Sequence, residues 1–275
     1  MRVTFAGPVP APSPRAELGA LVLVTWLVFV SIPLSLGGIG LSWDALNHQV
    51  YLGWIADRPR FDRDFLAASY QSFQYPYLYW PFFKLYQSGW SGKWAGAVLV
   101  SFNVLVVPAL WLLARLNVAE RSWYGLAMRW LAVALAFLTG VVLSLFDTTA
   151  NDLLAAIPLV WAIALALEPW DRGRPAWFTV RRLMLLSGFC AGASVAFKLS
   201  NGPLAVLMPL LWVIHGSSWQ QRAIDVATGC VATLAGLMVF YGYWGWEMWV
   251  HYGNPVYPFY DDWFAPVRAL LGHQR

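Results

Sequence analysis

Seven apolar runs of spanning or nearly spanning length dominate this chain of 275 residues. Hydrophobic residues make up 59% of the chain and charged residues 12%, whereas soluble proteins carry roughly 25% charged residues. A helix needs about 20 apolar residues to cross a bilayer core about 30 Å thick. The sequence therefore predicts an all-α, polytopic integral membrane protein with about seven transmembrane helices, at 18–38, 94–114, 126–146, 151–168, 183–198, 203–216 and 224–249.

The fifth and sixth of these runs are shorter than a full span. Between them lies the segment Ser200–Pro203, whose Gly and Pro interrupt helices. This pair therefore predicts tilted helices, a locally thin bilayer, or the two halves of a broken hairpin.

The distribution of basic residues predicts how the chain is oriented. Arg2 and Arg15 precede the first run, and short basic segments recur at alternate connections, which places the N-terminus in the cytoplasm. Residues 1–17 then form a disordered cytoplasmic tail, residues 18–249 a transmembrane domain, and residues 250–275 a periplasmic C-terminal segment for which truncation is an open alternative. Since topology explains the Arg clusters, the net charge of +4 predicts no nucleic-acid partner.

The connection between the first two runs, residues 41–93, is long, aromatic and on the predicted outer face. Its apolar residues recur at helical spacing after Ser42, a candidate N-cap: Trp43, Leu46, Val50, Trp54 and Ile55. We expect a helix in the membrane interface with its apolar side toward lipid and Asp44 and His48 toward water. The prolines of Tyr75–Phe83 predict an irregular or hairpin element rather than a span.

Asp44 and His48 are the candidate catalytic residues. They stand four residues apart, which places both on one helix face. Group transfer from a lipid phosphate to a hydroxyl needs a carboxylate that accepts the hydroxyl proton, and Asp44 is the best candidate. His48 is a candidate to assist Asp44, orient the acceptor or bind a metal. The alternatives are a helix-capping acid, since helix N-termini attract Asp, and a structural histidine.

Candidate substrate-binding residues lie in other predicted outer connections. Asp147 and Asp152 flank the connection after the third run as candidate acceptor contacts or metal ligands, or as a solvated-turn acid and a helix N-terminal acid. Lys198 ends the fifth run, where a bound phosphate would pair with its positive charge. The alternative is that its ammonium group snorkels to the membrane interface. Asn201 follows, with backbone amides that can hold an anion. No metal or nucleotide motif occurs, so the sequence identifies no metal ligands. A divalent cation is the one cofactor that stays open.

With these residues in place, the chain resembles the N-terminal part of a GT-C-fold membrane glycosyltransferase, a superfamily that includes protein mannosyltransferases and bacterial lipid A aminoarabinose transferases. Trp43–His48 follows the first run, where that family keeps its catalytic acid on an interfacial helix. An acidic connection follows at Asp147–Asp152, and Phe197–Asn201 supplies a lysine. Gly253–Tyr260 is similar to a Gly-Asn-Pro-aromatic phrase of bacterial members. The sequence departs from the family at Ala45, where many members have a second acid after the first.

The resemblance implies an enzyme that transfers a sugar from a polyprenyl-phosphate donor to a lipid, glycan or protein acceptor, among membrane lipids on the periplasmic side of a bacterial inner membrane. Asp44 would be the general base of an inverting transfer, and Lys198 would meet the donor phosphate. Two alternatives stay open, a non-catalytic transporter or flippase component and an inactive fragment of a longer glycosyltransferase. Acids concentrated at one face favour an enzyme, because a transporter should carry charges near mid-membrane. The oligomeric state stays open.

Overall fold

A computed structural model describes residues 11–40, 42–64, 68–146, 148–170 and 179–273. Within these ranges the chain forms helices and no β-strand. Five helical segments are long and apolar enough to cross a membrane, and two shorter apolar segments, Trp123–Phe137 and Leu199–Trp212, take the places of the third and sixth predicted runs. The predicted class, an all-α polytopic membrane protein, is confirmed, with candidate spans at Pro14–Leu36, Gly92–Asn117, Asp152–Trp170, Val180–Phe197 and Trp219–Tyr252.

The described residues form thirteen α-helices. They are α1 (Pro14–Leu36), α2 (Val50–Ile55), α3 (Trp80–Gln87), α4 (Gly92–Ser101), α5 (Val107–Asn117), α6 (Trp123–Phe137), α7 (Gly140–Leu145), α8 (Asp152–Leu167), α9 (Val180–Phe197), α10 (Gly202–Leu207), α11 (Pro209–Trp212), α12 (Trp219–Tyr252) and α13 (Asp261–Leu270). Short 3-10 turns occupy Ser69–Phe73, Phe102–Val106, Glu168–Trp170 and Leu199–Asn201, and a π-helical turn occupies Ala45–Gln49. Residues 37–40, 42–64, 68–91, 148–151, 198–201 and 253–273 meet at one end of the bundle, called here the Asp44 end, because the spans alternate in direction.

Helix α1 begins earlier than the sequence analysis predicts. The Ser13 hydroxyl accepts a hydrogen bond from the Ala16 amide at 3.3 Å, and Pro14 occupies the first turn, where its missing N–H costs nothing. Residues 14–17 of the expected disordered tail are therefore helical, and residues 1–10 lie outside the described ranges. The helix ends at Gly37, whose φ of +94° suits glycine.

Two predicted spans are broken at residues that disfavour helices. The run 126–146 stops at Phe137, and the Thr139 hydroxyl then caps a new short helix by accepting from the Val142 amide at 3.3 Å. The run 203–216 is divided into α10 and α11, each of which begins with a proline in its first turn. The expected break around Ser200–Pro203 is present as a 3-10 turn.

The closest helix packing joins α9 to α12 through glycines. A Cβ added to Gly192 would lie 1.9 Å from the Thr233 carbonyl oxygen, and one added to Gly188 would lie 2.2 Å from that of Gly229. Small residues let helix backbones approach this closely in membranes, where van der Waals contact replaces the hydrophobic effect as the main attraction. This glycine seam fixes the end of α9, and therefore Lys198, relative to α12.

A buried ion pair holds the opposite end of the bundle. Arg129 donates to both carboxylate oxygens of Glu17 at 2.6 Å, and Trp111 donates to the same carboxylate at 2.8 Å. Arg129 also donates to the carbonyls of Val118 and Glu120, at 3.0 and 2.8 Å. Every charge is thus paired and hydrogen-bonded, as burial requires. The pair joins α1, α5 and α6.

Residues 68–83 lie against the last turns of α12 at the Asp44 end. The Trp244 indole of α12 donates to the Phe73 carbonyl at 3.2 Å, and the Phe73 ring packs edge-on against Tyr252 and Tyr257. Tyr75–Tyr79 is irregular as predicted, but Trp80–Phe83 begins α3, because Pro81 lies in its first turn, where proline is tolerated. These contacts place an aromatic layer over the ends of α9 and α12.

The Gly253–Tyr260 phrase forms a fixed turn after α12. Asn254 is fully buried; its side-chain amide donates to the Phe259 carbonyl at 2.9 Å, and its side-chain oxygen accepts from the Val256 amide at 2.9 Å. Gly253 ends α12 with a φ of +63°, a conformation that glycine adopts without strain. The residues of Gly253–Tyr260 are therefore explained by the turn that they form in this structure.

Candidate functional site

Asp44 directly precedes the π-helical turn Ala45–Gln49 that follows α1, and His48 lies within this turn. The Ser42 hydroxyl accepts from the Ala45 amide at 3.1 Å, which confirms Ser42 as a helix-capping residue. His48 Nδ1 lies 3.9 Å from an Asp44 carboxylate oxygen, beyond direct hydrogen-bond distance. The Asp44 side chain is 49% exposed, whereas that of His48 is only 4% exposed.

The expectation that both groups face water is therefore wrong for His48. The exposed side of this turn is taken by Trp43 and Leu46, which are 69% and 68% exposed. A π turn holds more residues than an α turn, so it changes which side chains share a face. His48 and Gln49 point into the protein instead, where the Gln49 side-chain oxygen accepts a hydrogen bond from Thr149.

His48 has the environment of a neutral imidazole. Its Nδ1 is buried and has no hydrogen-bond partner among the described residues. Burial lowers the pKa of His48 below its ordinary value, and the positive charge of Lys198 lowers it further, while Asp44 opposes this change. His48 is therefore uncharged at neutral pH.

Asp152 and Lys198 form an ion pair between the first turn of α8 and the end of α9. Their side chains are 45% and 31% exposed, so the pair is accessible rather than sealed. Asn201 lies three residues after Lys198, and its side-chain amide donates hydrogen bonds to the carbonyls of Ala155 and Ser194, at 3.1 Å each. Its amide group is thus used to join helices, which is a structural use of a predicted binding residue. Asp147 lies outside the described residues.

Tyr79 connects these groups, and the sequence analysis does not single it out. It is buried, and its hydroxyl donates to the Gln74 side-chain oxygen at 3.4 Å. Burial raises the pKa of Tyr79 well above its ordinary value, and the negative charges of Asp152 and Asp44 raise it further. The Tyr79 ring also meets the His48 ring edge-on, with centroids 6.5 Å apart. Asp44, His48, Tyr79, Asp152 and Lys198 together form what we call the acid–base cluster.

A cavity of about 420 Å³ adjoins the cluster beneath residues 70–75. Lys198 and Gln74 belong both to its lining and to the surroundings of the cluster, whereas Asp44 and His48 do not line it. Its walls combine aromatic rings with amide and hydroxyl groups, from Tyr70, Gln71, Tyr75, Phe197, Ser200, Tyr257 and Phe259. Burial raises the pKa of Tyr75 to about 12, so this wall presents neutral phenol. The volume of this cavity lies in the range of about 300–1,000 Å³ that small-molecule sites occupy.

An apolar groove of about 380 Å³ begins on the other side of Phe197. It runs between α3, α8, α9 and α12, and Phe197, one residue before Lys198, lines both the groove and the cavity. Its flanks Phe102 and Leu105 are 42% and 54% exposed, so lipid reaches it from the side. A second apolar groove, of about 460 Å³ between α9, α10 and α12, has no charged residue in its lining. No charged residue lines the first groove either, but the first groove shares Phe197 with the cavity that Lys198 lines, whereas the second groove shares no residue with that cavity.

Only part of this arrangement carries a signal in the sequence. Three alternating tyrosines, at 75, 77 and 79, mark an aromatic layer but do not tell which of them reaches the carboxylates. Arg129 within an apolar run does signal a buried partner, which the structure identifies as Glu17.

Comparisons with known proteins do not extend this description. No protein-family model, curated protein or solved structure matches the chain. Among the described residues, no three His, Cys, Asp or Glu side chains lie close enough together to hold a metal ion.

Proposed function

We propose that this protein transfers a sugar from a polyprenyl-phosphate donor to a lipid, glycan or protein acceptor. The observation that supports this most is that Lys198 lines a cavity of aromatic and polar groups, while the adjacent Phe197 lines both this cavity and an apolar groove that can take a hydrocarbon chain. Asp44, far away in sequence, reaches the same cluster, since its charge and that of Asp152 both act on Tyr79. An anionic lipid that carries a sugar matches all three features.

In the proposed reaction Asp44 is the general base. Its carboxylate takes the proton of an acceptor hydroxyl while the hydroxyl oxygen bonds to the anomeric carbon of the sugar. The bond between that carbon and the phosphate oxygen breaks, and the polyprenyl phosphate leaves with the electron pair. Lys198 stabilises the negative charge that develops on this phosphate. Asp152 holds the Lys198 ammonium in place beforehand, and the neutral, buried His48 lies behind Asp44, with its Nδ1 3.9 Å from the carboxylate.

The proposed location is the inner membrane of a bacterium, with the Asp44 end in the periplasm. Arg2 precedes α1 in the sequence and Arg15 lies in its first turn; Arg115 lies in the last turn of α5 and Arg121 in the connection to α6, at the opposite end from Asp44. Basic residues concentrate on the cytoplasmic side of membrane proteins. This orientation places the N-terminus in the cytoplasm and the cluster where polyprenyl-linked sugars are used.

Replacing Asp44 with Asn tests the proposed chemistry. The substitution keeps the shape of a half-exposed side chain and removes its ability to accept a proton, so we expect the rate of donor consumption to fall by about 10²-fold or more. The measurement is release of polyprenyl phosphate from a synthetic polyprenyl-phosphate sugar by purified protein in nanodiscs.

The matched control is Asp62→Asn. Asp62 belongs to the same segment, its side chain is 62% exposed, and it pairs only with the exposed Arg63 at 3.4 Å in the described structure. We expect this variant to retain the wild-type rate. Full activity in a folded Asp44→Asn protein would reject Asp44 as the base.

A further inference from the structure

The last described helix, α13, carries an apolar stripe on its surface. Trp263, Val267 and Leu270 are 75%, 42% and 84% exposed. At about 100° per residue they fall within about 60° of one another, which makes them one face of the helix. No other part of the chain that the structure describes covers this face.

The opposite side of α13 is fixed to the end of α12. Arg268 donates to the Asp261 carboxylate at 2.8 Å, and Asn254 donates to the same carboxylate at 3.2 Å. The Arg268 side chain also lies over Gly253, where an added Cβ would come within 2.4 Å of its Cδ. These contacts determine which way α13 is rotated, and therefore the direction of the stripe.

The contacts at the two ends of α13 show how it is inclined. Asp261 meets Asn254, and the His273 ring, at the other end, lies 3.2 Å from the Val250 carbonyl. Helix α13 has 10 residues from Asp261 to Leu270, a length of about 15 Å, whereas Val250, in the last turn of α12, and Asn254, just beyond it, are only four residues apart. Helix α13 therefore runs across the end of a candidate membrane span.

The level of α13 is that of the lipid interface. Val250, beside its C-terminal end, is 49% exposed, and Trp246 one turn earlier on α12 is 61% exposed. Helix α12 has 34 residues, or about 51 Å, so its last turns reach beyond a core about 30 Å thick. Exposed tryptophans on spanning helices are typical of the interface, where a ring can touch both hydrocarbon and head groups.

We propose that α13 is an interfacial helix that inserts Trp263, Val267 and Leu270 into the lipid leaflet at the Asp44 end. The partner is lipid, because the stripe belongs to a helix that crosses the end of a candidate membrane span and contacts its last turn at Val250, close to the exposed Trp246. Asp261 and Arg268 neutralise one another, and Asp262 is acidic, so the attraction is apolar and requires no anionic lipid. This inference is independent of the proposed catalytic role.

Collision accessibility of nitroxide labels tests the proposal. The free thiols Cys190 and Cys230 are first replaced by Ala, and a single cysteine is introduced and labelled at Leu270, at Val267 or at Ala265, which is exposed on the opposite face. In phosphatidylcholine nanodiscs, we expect oxygen to collide more often than a water-soluble nickel chelate with labels at 267 and 270, and less often at 265. Addition of anionic lipid should leave this pattern unchanged.

Two results would overturn the proposal. Water-like accessibility at both 267 and 270 would show that the stripe faces solvent. Low accessibility to both reagents at these positions would show that a protein surface, such as a second copy of the chain, covers them.

Discussion

His48 places a buried, uncharged imidazole beside the half-exposed carboxylate of Asp44. A protonated His48 would bring an additional positive charge into a site that already contains Lys198. The residue therefore contributes most as a neutral hydrogen-bonding group, and its burial makes the folded protein sensitive to acid.

We expect the wild-type protein to lose thermal stability as the pH falls below 6.5, the ordinary pKa of His48. Because burial lowers this pKa in the folded state, the unfolded chain binds the proton more readily, and stability declines until the pH reaches the lowered value. His48→Gln should show a smaller decline over this range. The measurement is the melting temperature in detergent from pH 7.5 to 5. Equal declines in the two proteins would show that His48 does not control the acid sensitivity.

At the scale of residues, the sequence predicts which side chains lie at which end of the bundle more reliably than it predicts the contacts between them. Asp44, Asp152 and Lys198 come together because alternating spans bring their connections to one end, which the basic residues predict. The burial of His48 is not predictable by helical spacing, since the π turn changes the register. Nor is the use of the Asn201 amide, because one of its two acceptors, the Ala155 carbonyl of α8, lies 46 residues away in sequence.

At the scale of elements, the glycine seam between α9 and α12 explains why α9 can end beside the cavity. Most of the apolar runs predict spans correctly, because their length alone satisfies the bilayer. The broken ones fail at positions such as Pro209 and Thr139, where a lost backbone donor or a capping hydroxyl outweighs hydrophobicity. The seam itself has a weak signal, Gly188 and Gly192 four residues apart.

Gly192→Ala tests the seam. The added Cβ would lie 1.9 Å from a backbone oxygen that cannot rotate away, so the helices must separate. We expect a loss of about 1–3 kcal/mol or more in stability, as for overpacked cores, measured as a lower melting temperature. The control is Gly19→Ala in α1, where a Cβ meets no atom within 4 Å. This control should be neutral or stabilising by up to about 1 kcal/mol. Equal melting temperatures for Gly192→Ala and the wild type would contradict the packing.

At the scale of the whole molecule, the two ends of the bundle differ in how their charges are used. Glu17 and Arg129 are sealed and fully hydrogen-bonded, which leaves no capacity for a ligand. Asp152 and Lys198 are paired but accessible; Lys198 lines the cavity, and Phe197 beside it lines both the cavity and the apolar groove. This asymmetry is the physical reason for placing the function at the Asp44 end.

The central claim is that an anionic lipid binds with its head group beside Lys198 and its hydrocarbon chain in the apolar groove between α3, α8, α9 and α12. Photocrosslinking tests it directly, with a polyprenyl phosphate that carries a diazirine on its first isoprene unit and mass spectrometry to locate the adducts. We predict adducts near Tyr77, Ile157 and Phe189, reduced severalfold in Lys198→Gln but not in the control Lys93→Gln, an exposed lysine at the same end. Adducts confined to the second groove, between α9, α10 and α12, or adducts unchanged by Lys198→Gln, would contradict the claim.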